Sequence, residues 1–454
     1  MRRSLLSILL FSVLISCKKF LDIPFPQNQV STNTVFADDS TAQAAVYGIY
    51  NQLMTTSPIF MNGSVTVYPA LSADEIYNTS PNTTSDQFYQ NAISPRETSQ
   101  IQSGLWRWAY SSIFNCNSVL SGLETSDKIS SKLKDQFRGE ALTVRALCYF
   151  YLTNLFGDVP LIVSVDYSEN GSKGNSASSL IYEQIVKDLK EAETLLPASY
   201  PAGRTRVTVN AARALLARVY LYLGEYALAE QWASMLISNS SDFTLESDLD
   251  RVFLIASKEN IFGLFPIALY QNTGDGFALL PSTATSSPPY LLTSYLLSAF
   301  EPGDKRRVSW VASRTTNGQT INYPYKYKLK TGTPLAEVNV VLRLGEQFLI
   351  RAEARVAQNN LQAALDDLNV IRKRAGLPEV LMSTQQEILD TIMHERRIEL
   401  MFEKGHRWLD LKRTGKAGAV LAPIKTGWQN TDVLYPVPQQ EIDRNPFLKQ
   451  NIGY

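Results

Sequence analysis

The sequence predicts a mostly α-helical protein, a scaffold of tetratricopeptide-like helix pairs with long irregular loop excursions forming a ligand face. Three observations carry this. First, Ala212, Leu215, Leu216, Val219, Tyr220 and Leu223 recur at the spacing of one helix face. Gly224 ends that run, and Tyr226, Ala229, Ala233 and Leu236 begin a second stripe. Small residues let two antiparallel helices approach while large ones fill the gap, as in a tetratricopeptide pair. Second, 135 residues later Ala352, Arg355, Asn359, Leu361, Ala364 and Leu368 repeat the pattern of Ala217, Tyr220, Gly224, Tyr226, Ala229 and Ala233. Third, two long stretches, Thr55 to Ser103 and Asn260 to Asn339, are rich in polar, aromatic and turn residues and lack helical period. Loops of that length on a regular scaffold are usually functional.

Further helices are predicted at Thr41 to Met54, Leu105 to Gly122, Lys132 to Leu155, Leu180 to Leu196 and Gln385 to Glu403. Thr41 and Ser179 stand where N-caps belong, and Gly157 before Asp158-Val159-Pro160 ends a helix. The second excursion carries short alternating stretches at Ile321 to Tyr323 and Tyr325 to Tyr327.

Of 454 residues, 44% are hydrophobic and 19% charged, as in an ordinary globular chain, so disorder is excluded. Lys+Arg and Asp+Glu number 43 each. Without a basic excess, nucleic acid is not an expected partner.

The chain starts MRRSLLSILLFSVLISC. Arg2 and Arg3 precede an apolar run from Ser4 to Ile15, too short to span a bilayer and suited to a signal peptide over residues 1–16. Leu14-Ile15-Ser16-Cys17 has the form of a bacterial lipobox, so Cys17 is the expected lipidation site (palmitate among its acyl chains), with 17–33 as a lipidated leash. Several acyl chains give a stable anchor. Cys116 and Cys148 remain, either as a single bridge or, the favoured reading, as two buried thiols.

No catalytic residue and no metal or cofactor site is predicted. His394-Glu395 begins a zinc-protease pattern, but Ile398 stands at the second ligand position. The Gly274-Asp275-Gly276 triplet reads as a turn. The charges Glu395, Arg396, Arg397, Glu399, Glu403, Arg407, Asp410 and Arg413 read as ion pairs pinning the C-terminal block. Asp74 and Glu75 are the best carboxylate pair for glycoside hydrolysis, but neighbours in an extended loop point opposite ways. The candidate ligand-binding residues are Trp310, Tyr290 and Trp108 as platforms, with Tyr77, Asp74, Asn78 and Asn91 beside them. Tyr89 and Gln90 share the composition of that first loop. Rings match the apolar faces of sugars, and amides and carboxylates match the hydroxyl rim. For each residue, an ordinary surface or packing role is the competing reading. Trp106, which shares a face with Tyr110, Ile113 and Asn117, is assigned to the core.

Several blocks resemble the SusD/RagB family of nutrient-binding outer-membrane lipoproteins. They are KKFLDIPFPQNQV after the lipobox, Trp106-x3-Tyr110-x2-Ile113-x3-Asn117, GEALTVRALCYFYLTNLFGDVPL, HERRIELMFEKGHRWLDLKRTG and the tail YPVPQQEIDRNPFLKQNIGY. The resemblance covers nearly the whole chain. Lys404 before Gly405, and Ile452 in place of a proline, depart from the family pattern. The resemblance implies a SusD-like N-terminal helical region at 34–258 and a RagB/SusD C-terminal region at 259–454. It also implies capture of a glycan or other nutrient oligomer at the cell outer membrane and delivery to a SusC-like TonB-dependent transporter. The rival functions are a surface glycosidase and a tetratricopeptide-type protein scaffold.

Overall fold

The computed structural model describes residues 32–55, 57–201, 203–268, 271–316 and 318–454. Cys17, its lipobox and most of the leash lie outside them. Ten helices carry the architecture: α1 (Asp39–Met54), α2 (Trp108–Thr125), α3 (Ser131–Phe156), α4 (Ser178–Leu195), α5 (Val209–Leu223), α6 (Tyr226–Ile237), α7 (Leu344–Ala357), α8 (Leu361–Ala375), α9 (Gln385–Glu399) and α10 (His406–Arg413). From α1 to α8 each packs on the next, and α9 folds back on α7 and α8.

The two predicted hairpins are α5/α6 and α7/α8. Gly224, at φ 75°, closes the first as Glu225 N–H donates to Tyr220 O at 2.9 Å. Asn359, at φ 60°, does the same for the second, with Asn360 N–H donating to Arg355 O at 2.8 Å. Asparagine stands in for glycine because its short polar side chain tolerates the left-handed region. Ala217, Ala229, Ala352 and Ala364 are fully buried at the crossings. Arg355, in the place of Tyr220, ties the hairpins together by its ion pair with Glu230 at 2.8 Å. Overpacking this contact with Ala229→Trp is expected to cost about 1–3 kcal/mol, read as a shift of the urea midpoint.

The hairpins adjoin in space although Ser238 to Arg343 separates α6 from α7 in the chain. This second excursion is closed at its base by strands from its two ends, β2 (Asn260–Leu264) and β6 (Asn339–Arg343), antiparallel and wholly buried. Between them lie β3 (Tyr290–Leu292), β4 (Val311–Thr316) and β5 (Gln319–Pro324), the last two a hairpin. The first excursion holds β1 (Ile76–Asn78), which pairs antiparallel with β3.

Several local expectations are corrected. The first excursion contains helices at Ser64–Ser72 and Thr83–Gln90. Every residue of Ser64–Ser72 is buried, so it has no polar face to produce a period. Wide π turns over Thr98–Arg107 run directly into α2, capped by the Glu97 carboxylate. Asp38, not Thr41, caps α1, accepting from Ser40 and Thr41 N–H. Ala177 holds the cap position of α4, where no side chain caps; the Asp158 carboxylate accepts from Ser178 N–H at 2.9 Å instead of Ser179 serving. Gly274-Asp275-Gly276 starts a short helix, Gly274–Leu279, capped by Thr273. Its Asp275 receives the buried ammonium of Lys404 at 2.6 Å, so the lysine that departs from the family pattern is an internal tie. Cys116 and Cys148 are free and buried.

The C-terminal charge cluster is interior. Arg343 reaches Glu259, Glu399 and Glu403, each within 2.7 Å, and Arg306 reaches Asp304, Glu395 and Glu399. Arg396 pairs with Asp410, and Arg413 with Glu353 and Asp410. These groups pin the second excursion, α7, α9 and α10 into one body.

Candidate functional site

The two excursions meet at the β1/β3 seam, with Tyr77 opposite Leu291 and Asn78 opposite Tyr290. Beyond the strand ends, Thr79 N–H donates to Pro289 O at 3.0 Å. Thr293 donates its N–H to Glu75 O and its hydroxyl to Asp74 O. Alternation along a strand separates two faces. On one, Asn78 is spent locally, its amide donating to Asp86 Oδ1 and Ser80 O, both at 2.8 Å. Its partner Tyr290 is half-buried against the core. On the other, Tyr77 is 37% exposed, and its ring centroid lies 6.4 Å from that of Tyr89. Tyr295, 48% exposed, follows on the turn after β3. Burial raises the Tyr89 phenol pKa, and the phenols of Tyr295 and Tyr77 add to it.

Lys425 supports this cluster from below. Its ammonium lies 4.2 Å from the Tyr89 ring centroid and donates to Leu71 O at 2.8 Å and Tyr89 O at 2.5 Å. Burial pushes it down to about 7. Asp74 is clamped by Arg397 at 2.5 Å and Arg407 at 2.8 Å. Burial opposes the Asp74 charge, but Arg407 and Arg397 outweigh it and hold the carboxyl below its usual range. Glu75, beside it, is buried without such a partner. Desolvation first, then the Asp74 charge, push it up to about 8, while Phe402 N–H donates to it at 3.3 Å.

A carboxyl whose pKa folding raises contributes stability that falls with pH wherever the unfolded chain has given up the proton that the folded chain still holds. The contribution is full below the unfolded value near 4.5 and declines as pH rises toward 8. Glu75→Gln is therefore expected to flatten the stability profile between pH 5 and 8 and to raise the melting temperature above pH 8. An unchanged pH profile in thermal melts counts against it.

The structure removes three predicted contacts from the ligand face. Trp310 is fully buried, its indole N–H donating to Leu249 O at 3.0 Å and its ring covered by the Lys326 ammonium at 4.2 Å. It is a core residue, not a platform. Asp74 is 3% exposed and neutralised by its two arginines. Asn91 is 4% exposed, caps the helix Thr83–Gln90 in the left-handed region, and donates to Ser72 O. Trp108 is half-buried against the core and makes no ring contact with the other candidates among the described residues. Tyr77 remains at the surface. Tyr295, Lys425, Arg397 and Arg407 were not anticipated here. Tyr295 sits in Tyr290-Leu291-Leu292-Thr293-Ser294-Tyr295, which reads as a buried apolar run; the Thr293 cap that turns it outward was the available signal.

Among the described residues no group of three His, Cys, Asp or Glu is placed to hold a metal ion, and no helix is long and apolar enough to cross a membrane.

Residues 309–454 match the SusD family, and residues 19–221 match the family described as starch-binding associating with outer membrane. The SusD-like protein P38 of Formosa agariphila is 24% identical, the match covering 97% of this chain and 96% of that one. A SusD superfamily protein from Bacteroides vulgatus superposes with a TM-score of 0.82 at 21% identity, over 92% of this chain and 99% of that one. A laminarin-binding SusD-like protein does so at 0.77 and 23% identity, over 92% and 100%. Sequence blocks at both ends of the chain and a shared helical-pair scaffold agree, and the chain belongs to the SusD family.

Proposed function

We propose that this protein captures a glycan at the cell outer membrane and passes it, unhydrolysed, to a TonB-dependent transporter. The observation that carries the reading is the solvent-facing cluster of Tyr77, Tyr89 and Tyr295 where the two excursions pair. Flat rings at a surface, framed by polar groups, suit the apolar faces of sugar rings. The related structure described as laminarin-binding, and the family described as starch-binding, support a carbohydrate as ligand. Binding without cleavage is supported by the two adjacent carboxyls that precede β1. Asp74 is locked between guanidiniums and Glu75 is buried, so neither offers the facing acid and base that hydrolysis needs.

The test is affinity electrophoresis of the soluble chain against laminarin, starch and xylan, with reducing ends assayed in parallel. Retardation without released ends supports capture; released ends support a glycosidase. The lipobox motivates acylation of Cys17, so Cys17→Ala is expected to leave the protein unprocessed or released, as mass spectrometry of membrane fractions would show. Co-purification of a β-barrel transporter from solubilised outer membranes is expected. A chain that purifies alone, and whose loss leaves glycan uptake intact, contradicts delivery.

A further inference from the structure

The tyrosine cluster does not end at Tyr295. Arg397 Nη2 donates to the Tyr295 carbonyl at 2.9 Å, and Arg397 and Arg407 both line a cleft of about 880 Å3. Tyr226, Leu389, Met393 and His394 form other parts of its wall. Arg407 uses Nε and Nη2 on Asp74, and Arg397 uses Nη2 on Asp74 and Tyr295. Neither Nη1 makes a hydrogen bond among the described residues, and neither belongs to the buried unpartnered atoms. Each of the two guanidiniums flanking that carboxylate therefore keeps an unpaired Nη1 where cluster and cleft adjoin.

The charges do not cancel there. Two guanidiniums share the single carboxylate of Asp74, and the neighbouring Glu75 is buried and keeps its proton at neutral pH. Lys416 is a further exposed cation on the cleft. Of the acids lining the cleft, Glu353 is taken by Arg413 at 2.6 Å, and Asp390 accepts from Gln386 at 3.0 Å. The whole chain has 43 cationic and 43 acidic side chains, so the local excess reflects placement and not composition. Guanidinium edges match carboxylate and sulfate oxygens in geometry as well as charge.

We propose that Arg397 and Arg407 form an oxyanion subsite, and that the glycan held on the tyrosine cluster is an acidic one bearing carboxylate or sulfate groups. This rests on the capture reading above and names its ligand class. Sugar rings lie on Tyr77, Tyr89 and Tyr295, and an acidic substituent reaches the two Nη1 groups.

The experiment pairs acidic polysaccharides with their neutralised forms. Polygalacturonate and alginate are compared with their methyl esters, and chondroitin sulfate and dextran sulfate with desulfated chains. Laminarin, starch and xylan are run alongside. Titration calorimetry and affinity electrophoresis read binding by the full soluble chain. At least one acidic form is expected to bind about tenfold or more tightly than its neutral counterpart, the scale of a charge-assisted hydrogen bond. Its affinity is expected to fall with added NaCl, while any binding of the neutral form does not. The pectin and alginate arms report a carboxylate, the other two a sulfate. Arg397→Lys and Arg407→Lys keep a charge beside Asp74 but lose the fork. They are expected to lower the ratio of acidic to neutral affinity within each pair, with melting temperature as the check on folding.

Equal binding within each pair, or binding of the neutral glycans alone, overturns the oxyanion subsite and leaves capture on the tyrosines standing. Binding to no acidic form overturns it as well. Acidic binding that survives both Tyr77→Ala and Tyr295→Ala refutes the tyrosine site itself.

Discussion

Glu399→Gln is expected to destabilise the protein by about 3–5 kcal/mol, the range for breaking a buried ion pair by removing one partner. Glu399 is fully buried and faces the guanidiniums of Arg306, Arg343 and Arg374. Burial alone would disfavour its charge, but Arg374 and Arg343 overwhelm that and hold the carboxyl far below its usual range. The amide keeps the shape and removes the charge, leaving Arg306, Arg343 and Arg374 with one buried anion fewer among them. Because the folded value is depressed, the wild-type contribution is present above the ordinary carboxylate range and is lost as pH falls below it. Urea unfolding at pH 7 should show the full difference, and the gap between variant and wild type should narrow in acid. A difference below about 1 kcal/mol, the scale of an exposed pair, would falsify this account.

The second large effect is on binding. Tyr77→Ala and Tyr295→Ala are each expected to weaken glycan affinity by about 2 kcal/mol or more, roughly thirtyfold, as for aromatic anchors at other interfaces. Tyr77 projects from a two-stranded ribbon and Tyr295 from a short capped helix, so neither substitution removes core packing. Melting temperatures should therefore stay near wild type. Trp310→Phe supplies the contrast: the ring lies in the core, and its loss should lower stability without a selective effect on affinity. If the two tyrosine variants bind as wild type while Trp310→Phe does not, the site has been placed on the wrong side of the seam.

Much of the scaffold was legible because an amphipathic helix writes its period into the sequence. Helices α6 and α8 bury one stripe each and α5 and α7 most of their surface, and their alanines and turn residues fall where the two segments match. Ser64–Ser72 was illegible for the opposite reason: buried on every side, it alternates nothing. The site was harder. Trp310 stands among Arg306, Arg307 and Arg314, a setting that reads as surface, but Arg306 is itself buried in an ion-pair network. The C-terminal charges were recognisable as ion pairs from their own spacing. That two of them, Arg397 and Arg407, reach back across more than three hundred residues to Asp74 is long-range geometry that no local pattern encodes. Tyr77 was singled out because a ring in a polar loop has few packing partners nearby in sequence, and it is exposed; Tyr295 was passed over because leucines surround it.

The β2/β6 ladder at the root of the second excursion has a consequence for how such a protein can diverge. Its two ends leave the scaffold side by side, and α6 and α7 pack as though nothing lay between them. The exposed loops distal to that ladder form a cassette on a fixed socket. Closure entropy grows only with the logarithm of loop length, so doubling the cassette costs about 0.6 kcal/mol. Its exposed parts can be rewritten, lengthened or shortened without disturbing the helical register beneath, provided the ladder, Arg343 and the buried ties of Asp275, Arg306 and Lys326 to the body persist. A protein with this socket can change what it grips while keeping how it stands.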